Sequence, residues 1–139
     1  MRRKAVILGA GSAGLAAYRR LKDEPGGAAL IDPGPLGTTC ARTGCMPSKA
    51  LIHAAREFHG RRALERLGLR GGESLTCDCS AVFAFVRAQR DRFAGNMADT
   101  IESLAGGDLI RERGVLLDEH HVRAGETVIE TDGVIVATG

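Results

Sequence analysis

No run of apolar residues in this 139-residue chain approaches the eighteen or so that a membrane-crossing helix requires. Charge of one sign is lacking too: nineteen basic against seventeen acidic side chains leave +2 at neutral pH, which argues against a nucleic-acid surface. Lysine is scarce, with Lys4, Lys22 and Lys49 the three among nineteen basic residues. The N-terminus shows no secretion pattern, since Arg2, Arg3 and Lys4 lead into a short apolar run and a glycine turn. A cytoplasmic location is therefore expected, where an exposed disulfide is more often catalytic than structural. The remainder, 44% hydrophobic and 26% charged, is ordinary for a globular chain of about one domain.

Residues 36–49, Leu-Gly-Thr-Thr-Cys-Ala-Arg-Thr-Gly-Cys-Met-Pro-Ser-Lys, are the densest in chemistry. An ideal helix holds residues i and i+5 roughly 8 to 9 Å apart at Cα, whereas a disulfide spans about 4.4 to 6.8 Å. A Cys40–Cys45 bridge therefore requires a distorted turn, with Gly44 supplying backbone freedom and Pro47 opening a helix. A thiol near a helix N-terminus and a cation loses its proton more readily, so Cys45, with Lys49 one turn on, is a candidate thiolate. Taken by themselves, two cysteines at arbitrary spacing in a chain of this size are more often buried, inert thiols than a redox pair.

The N-terminal stretch reads as a nucleotide-binding turn. Ala5-Val6-Ile7-Leu8 suits a strand buried on both faces, Gly9-Ala10-Gly11-Ser12-Ala13-Gly14 follows, and a helix is predicted from Ser12 to Lys22. Ala28–Ile31 is a second strand closing on Asp32. Gly9 permits the tight turn, Gly11 lets a pyrophosphate approach the backbone, Gly14 allows close helix–strand packing, and Asp32 can accept hydrogen bonds from a ribose. The glycines alone do not choose between FAD and NAD.

A helix is predicted behind the thiols from Ser48 to about Leu67, carrying His53 and His59 as surface or packing residues, then a loop over 68–76. Cys77 and Cys79 could join Cys40 and Cys45 as zinc ligands, but the spacing is uncommon, and they are expected to be incidental; no metal is assigned. The next helix spans about Ser80–Ala105, with Val82, Phe85, Val86, Phe93, Met97, Ile101 and Leu104 as an apolar stripe, capped by Asp78 or Ser80 and ended by Gly106-Gly107. Short strands are predicted at Leu109-Ile110, 115–117, 127–129 and 133–137. His120 and His121, adjacent at a strand edge, point to opposite faces and make a poor chelate.

The string around the thiols resembles the active-site signature of the class I pyridine nucleotide-disulfide oxidoreductases, and most resembles their dihydrolipoamide dehydrogenase-like members. It matches at Gly37, Thr39, Cys40, Gly44, Cys45, Pro47, Ser48 and Lys49, and departs at Thr38, usually Gly, and Arg42, usually Asn. Val134–Gly139 resembles the family's hydrophobic strand ending in Ala-Thr-Gly. The resemblance covers all 139 residues but only about the first third of a family member, with no second glycine fingerprint, later Gly-Asp motif or His-Glu pair.

The resemblance implies an α/β fold: a Rossmann-like three-layer FAD-binding domain with a parallel sheet and an antiparallel β-meander, incomplete at its C-terminus. Residues 1–139 would be its N-terminal segment, with NAD(P)-binding and dimerisation domains absent from this chain. Electrons would pass between NAD(P)(H), FAD and a redox-active Cys40–Cys45 disulfide. Cys45 would face the flavin, Cys40 would exchange with substrate, and Lys49 would bias the flavin's charge. Gly9, Gly11, Ser12, Gly14 and Asp32 would hold the adenosine diphosphate. Thr39, Thr138 and Gly139 would contact the pyrophosphate and ribityl region, and Gly114 falls where the family's backbone meets adenine. A lipoamide-like disulfide or dithiol substrate and a homodimer are implied, with no nucleic acid or membrane. Pro47-Ser48-Lys49 is nearer to lipoamide and mercuric reductases than to glutathione-type ones. The fragment alone is expected to be inactive. The alternatives are a non-catalytic nucleotide-binding fragment and a mercuric or other disulfide reductase of the same family; a plain NAD-dependent dehydrogenase leaves the cysteine motif unexplained.

Overall fold

The computed structural model describes residues 1–139. In chain order its elements are β1 (Arg2–Arg3), β2 (Ala5–Leu8), α1 (Ser12–Leu21), β3 (Ala28–Ile31), α2 (Thr39–Arg42), α3 (Cys45–Gly60), α4 (Cys79–Ala105), β4 (Leu109–Ile110), β5 (Gly114–Leu116), β6 (His121–Ala124), β7 (Thr127–Thr131) and β8 (Val134–Val136). The chain divides into two compact units, one of Met1–Thr39 with Ala94–Gly139, the other of Cys40–Phe93.

The first unit is the three-layer domain expected. Its central sheet is all parallel in the order β4-β3-β2-β8, with Val6 opposite Ala29 on one side and Val134 on the other. Strand side chains alternate between faces, and here both faces are covered, which is why β2 and β3 are continuous apolar runs. Ala5, Ile7, Ala28 and Leu30 face one layer, packing with Leu15 and Tyr18 of α1 and Ile101 and Ala105 of α4. Val6, Ala29 and Ile31 face the other, packing with Val122, Ala124 and Ile129. Those last residues belong to the antiparallel ribbon β5-β6-β7, and β1 adds to its edge parallel to β7.

The helical layer has one buried polar anchor. Tyr18 donates its hydroxyl hydrogen to Asp108 Oδ2 at 2.9 Å, and Arg3 holds the other carboxylate oxygen at 2.7 Å. Burial, and next the hydrogen bond to Asp108, push the phenol from 10.0 up to about 12. The folded chain thus binds this proton more tightly than the unfolded one, so the stabilisation is whole below pH 10 and drains as pH rises toward about 12. Tyr18→Phe is expected to cost about 1 kcal/mol at neutral pH. It should also flatten the alkaline loss of stability across that window, which urea titrations at stepped pH will read.

The second unit contains α2, α3 and the first half of α4, with short 3₁₀ turns at Arg61–Leu67 and Gly72–Ser74. Four expectations need correction here. The helix behind the thiols starts at Cys45 rather than near Pro47, because the first turn of any helix has N–H groups without partners and proline fits at its third position as well as its first. Cys40 lies in the short helix α2, not in irregular chain, and α3 gives way to a 3₁₀ turn at Arg61. On α4, Phe85 is 41% exposed. Val82, Val86, Phe93, Met97, Ile101 and Leu104 are buried or half-buried at steps of three, four or seven; Phe85 falls one position, about 100°, off that seam. Asp78 caps α4 as expected, accepting from the Ala81 N–H at 3.0 Å.

Candidate functional site

One cluster lies in the first unit, at the ends of β2, β3 and β8. Gly9 leaves β2 with φ +104°, in the left-handed region, and a Cβ there would run into the Ala137 carbonyl and crowd Thr138 Cα at 3.1 Å. Gly14 is closed more tightly, since a Cβ would overlap the Gly9 carbonyl oxygen. Both glycines are therefore explained by chain packing. Gly11 is not: its φ of −75° suits any residue, and no atom lies within 4 Å of where its Cβ would be. It stands at the N-cap of α1 with no side chain capping the helix, Ser12 exposed beside it, and the N–H groups of the first turn facing that open space.

Asp32 has a structural task that the sequence did not reveal. Its Oδ2 accepts from Ala10 N–H at 2.7 Å and its Oδ1 from Gly34 N–H at 2.7 Å. The carboxylate thereby clasps the glycine turn to the loop after β3. Asp-Pro-Gly at 32–34 carries the signal that could have found the second bond, an Asx turn closing two residues on. Each oxygen keeps a further lone pair, so acceptor capacity toward a hydroxyl remains. Thr138 adjoins Gly9, with Gly139 next along the chain, and Ala137 N–H binds the Leu8 carbonyl at 2.8 Å. Gly114 starts β5, where a Cβ would lie 2.5 Å from Leu8 Cδ2 and 3.3 Å from Ile31 Cγ2, so packing over the sheet accounts for it. Thr39 is exposed at the start of α2.

The other cluster lies in the second unit. A turn at Thr43-Gly44 breaks the path from α2 to α3, and Gly44 at φ −115°, ψ −109° is outside helical geometry. The break brings the sulfurs together: the Cys40 thiol hydrogen-bonds Cys45, which with partial burial pushes Cys40 up, while the Lys49 ammonium pulls it down. Both thiols are free, Cys40 half-buried and Cys45 exposed. Cys45 occupies the first turn of α3, and Ser48 donates its hydroxyl hydrogen to the Cys45 carbonyl at 3.0 Å. Lys49 is exposed one turn further on.

The remaining candidates stand apart from these clusters. His53 and His59 are exposed on α3. His121 Nδ1 lies 2.9 Å from Asp118, whereas His120 Nδ1 turns to the Thr131 carbonyl at 3.2 Å. The backbone N–H of His120, then the His121 ring, hold the Asp118 carboxyl below its usual range. No group of three or more His, Cys, Asp or Glu side chains is arranged to hold a metal ion. No helix is long and apolar enough to cross a membrane.

A parallel sheet between helices and a β-meander, with a glycine turn where β2 meets α1, defines a Rossmann-like three-layer domain. The sequence profile of the family described as pyridine nucleotide-disulphide oxidoreductase matches residues 3–139, and the chain belongs to that family. It is 31% identical to a dihydrolipoyl dehydrogenase of Trypanosoma brucei brucei over 144 residues, covering 96% of this chain and 29% of the enzyme. It is 30% identical to a mercuric reductase of Shigella flexneri, covering 96% and 25%. Among solved structures, the Cu(II) complex of the HOCl-induced flavoprotein disulfide reductase RclA from Escherichia coli superposes with a TM-score of 0.69 at 22% identity, over 97% of this chain and 27% of that one. The chain thus spans between a quarter and a third of the length of these relatives.

Proposed function

We propose that residues 1–139 are the N-terminal, FAD-binding segment of a dihydrolipoyl dehydrogenase-like disulfide oxidoreductase, with Cys40 and Cys45 as its redox pair. The observation that carries this reading is the contact between the two sulfurs across the Thr43-Gly44 turn, in a chain of this family. Cys40 attacks one sulfur of the substrate disulfide, forming a mixed disulfide and releasing the first thiol. Cys45 then attacks Cys40, releasing the second thiol and leaving the Cys40–Cys45 disulfide. Bound FAD would supply the electron pair, drawn from a reduced nicotinamide, that returns this disulfide to two thiols. Lys49 favours negative charge on the pair, consistent with its pull on Cys40. The nicotinamide site and the dimer contacts belong, in this proposal, to parts of the enzyme beyond this segment, and a lipoamide-like disulfide is the substrate class.

The first unit suits FAD. Gly11 has no packing reason to be glycine, and the space beside it at the start of α1 fits a pyrophosphate reached by backbone N–H groups. Gly9, Ser12, Gly14, Thr138 and Gly139 line that edge, Asp32 offers lone pairs to ribose hydroxyls, and Thr39 and Gly114 complete the set assigned to the cofactor.

The test is a titration of the complete protein carrying this segment with FAD, followed by flavin fluorescence. Gly11→Ala is expected to leave stability within about 1 kcal/mol of the parent, because the site is open and only N-cap preference is lost. It should weaken FAD binding by at least about tenfold, since a methyl group displaces the phosphate. A parent that takes up no flavin, or an alanine variant that binds as well, overturns the assignment and leaves a nucleotide-free module.

A further inference from the structure

The second unit holds another pair of thiols, and it has a cleft of its own. Cys77 precedes α4 and Cys79 is its first residue; both are exposed. Asp78 between them is committed to capping the helix through Ala81 N–H at 3.0 Å, so its side chain does not part the two sulfurs. Both cysteines line a cleft of about 320 Å³ whose walls include Leu51 and Ala54 of α3, Phe58, and Val82 and Phe83 of α4. Arg61 and Arg62 border the same cleft. The Arg61 guanidinium lies 4.1 Å over the Phe58 ring, and its Nε is buried without a hydrogen-bond partner. A buried N–H of a cation left unpaired is rare in folded proteins and marks a place where an acceptor is wanted.

We propose that Cys77 and Cys79 are a second, exchange-competent dithiol, serving a cleft that takes a small organic disulfide with an aromatic or apolar body and an anionic group. The apolar walls receive the body, Arg61 and Arg62 the anion, and the sulfurs lie on the same cleft. Desolvation and the neighbouring Cys79 thiol push Cys77 up. Cys79 gives its proton to water and its sulfur attacks one sulfur of R–S–S–R, so a Cys79–S–S–R bond forms, the R–S–S–R bond breaks and R–S⁻ leaves. Cys77 gives its proton to the departing R–S⁻ and attacks Cys79, forming Cys77–S–S–Cys79 and releasing the second R–S⁻, which takes a proton from water. The substrate gains two electrons and the protein dithiol loses two. A disulfide closing a loop over one residue gains little from chain constraint and is exposed, so exchange with a second dithiol reopens it. Their spacing alone does not favour this pair; the cleft and the orphaned guanidinium nitrogen do.

The experiment uses the full chain carrying Cys40→Ser and Cys45→Ser, so its outcome is independent of the redox role given to the first pair. The probe is 5,5′-dithiobis(2-nitrobenzoate), an aromatic disulfide with carboxylates, against the neutral 4,4′-dithiodipyridine. Two nitrothiobenzoates should be released per chain, leaving no adduct and a tryptic product with Cys77 and Cys79 joined, lighter by two hydrogens. Arg61→Gln or Arg62→Gln should slow the anionic probe about tenfold, the loss of one charge-assisted contact, and leave the neutral one unchanged. The arginine variants are independent, so one that fails to fold leaves the other to decide. Two adducts retained on separate cysteines, or arginine substitutions that slow both probes alike or neither, overturn the proposal.

Discussion

If the proposed function holds, Cys45→Ser is expected to reduce disulfide turnover by the complete protein by at least about a thousandfold, and Cys40→Ser by as much, because each half of the exchange needs its own sulfur. The two variants should fail differently. Without Cys45, the mixed disulfide on Cys40 has no internal nucleophile to resolve it and accumulates. Without Cys40, no mixed disulfide forms and the substrate is untouched. Whole-protein mass spectrometry after a single pulse of substrate disulfide separates the two, and equal, adduct-free loss in both would remove Cys40 from the role of exchange thiol. The same pair sets a pH dependence. Cys45 and burial hold the Cys40 proton more tightly than in an ordinary thiol, so alkylation of Cys40 by iodoacetamide should keep climbing with pH beyond the range where a free cysteine levels off. Lys49→Met removes the opposing charge and should push that plateau higher still.

Gly14→Ala is expected to be the most damaging single methyl in the chain. The new Cβ overlaps the Gly9 carbonyl oxygen, a backbone atom in a turn fixed by the Ile31 carbonyl at 2.8 Å and the Asp32 clasp on Ala10. Relief requires α1 to lift from the sheet, withdrawing Leu15 and Tyr18 from the core. The cost should be at least about 3 kcal/mol, the upper end for overpacking. That corresponds to a fall in midpoint of roughly 10 °C for a chain of this size. Gly11→Ala, three residues earlier, is the matched control: it is neutral for melting and harmful only to ligand. A melting temperature for Gly14→Ala within a few degrees of the parent would mean α1 does not press on the glycine turn.

The contrast between these glycines marks what could be seen in advance. Their spacing after an apolar strand announces the turn, but which glycine serves packing and which serves a ligand depends on Ala137 and on Gly9 itself, one of them distant in sequence. β2 and β3 were legible because a strand covered on both faces has no polar positions. Two strands were not. Arg2–Arg3 is held by partners some 128 residues away, through pairing with Glu130 and Thr131 and ion pairs to Glu130 at 3.2 Å and Asp132 at 3.0 Å. His121–Ala124 does alternate, with Val122 and Ala124 buried, but over four residues including an alanine the period is too short to separate from a turn. The thiol signature was plain in the sequence, whereas the break that lets its sulfurs meet depends on Gly44 leaving helical geometry after only one turn of α2. The position of Asp32 alone marks it as a ribose partner; its two backbone partners come from loops that only the fold brings to it.

The pairing of β8 with β2 also has a temporal side. As the chain leaves the ribosome, β2, α1 and β3 emerge within the first few dozen residues and can associate early, since helices and neighbouring strands close quickly. The Ala137 carbonyl and Thr138, which wall the glycine turn, follow it by more than a hundred residues. A nascent chain would therefore carry the glycine turn unwalled until β8 emerges and pairs with β2.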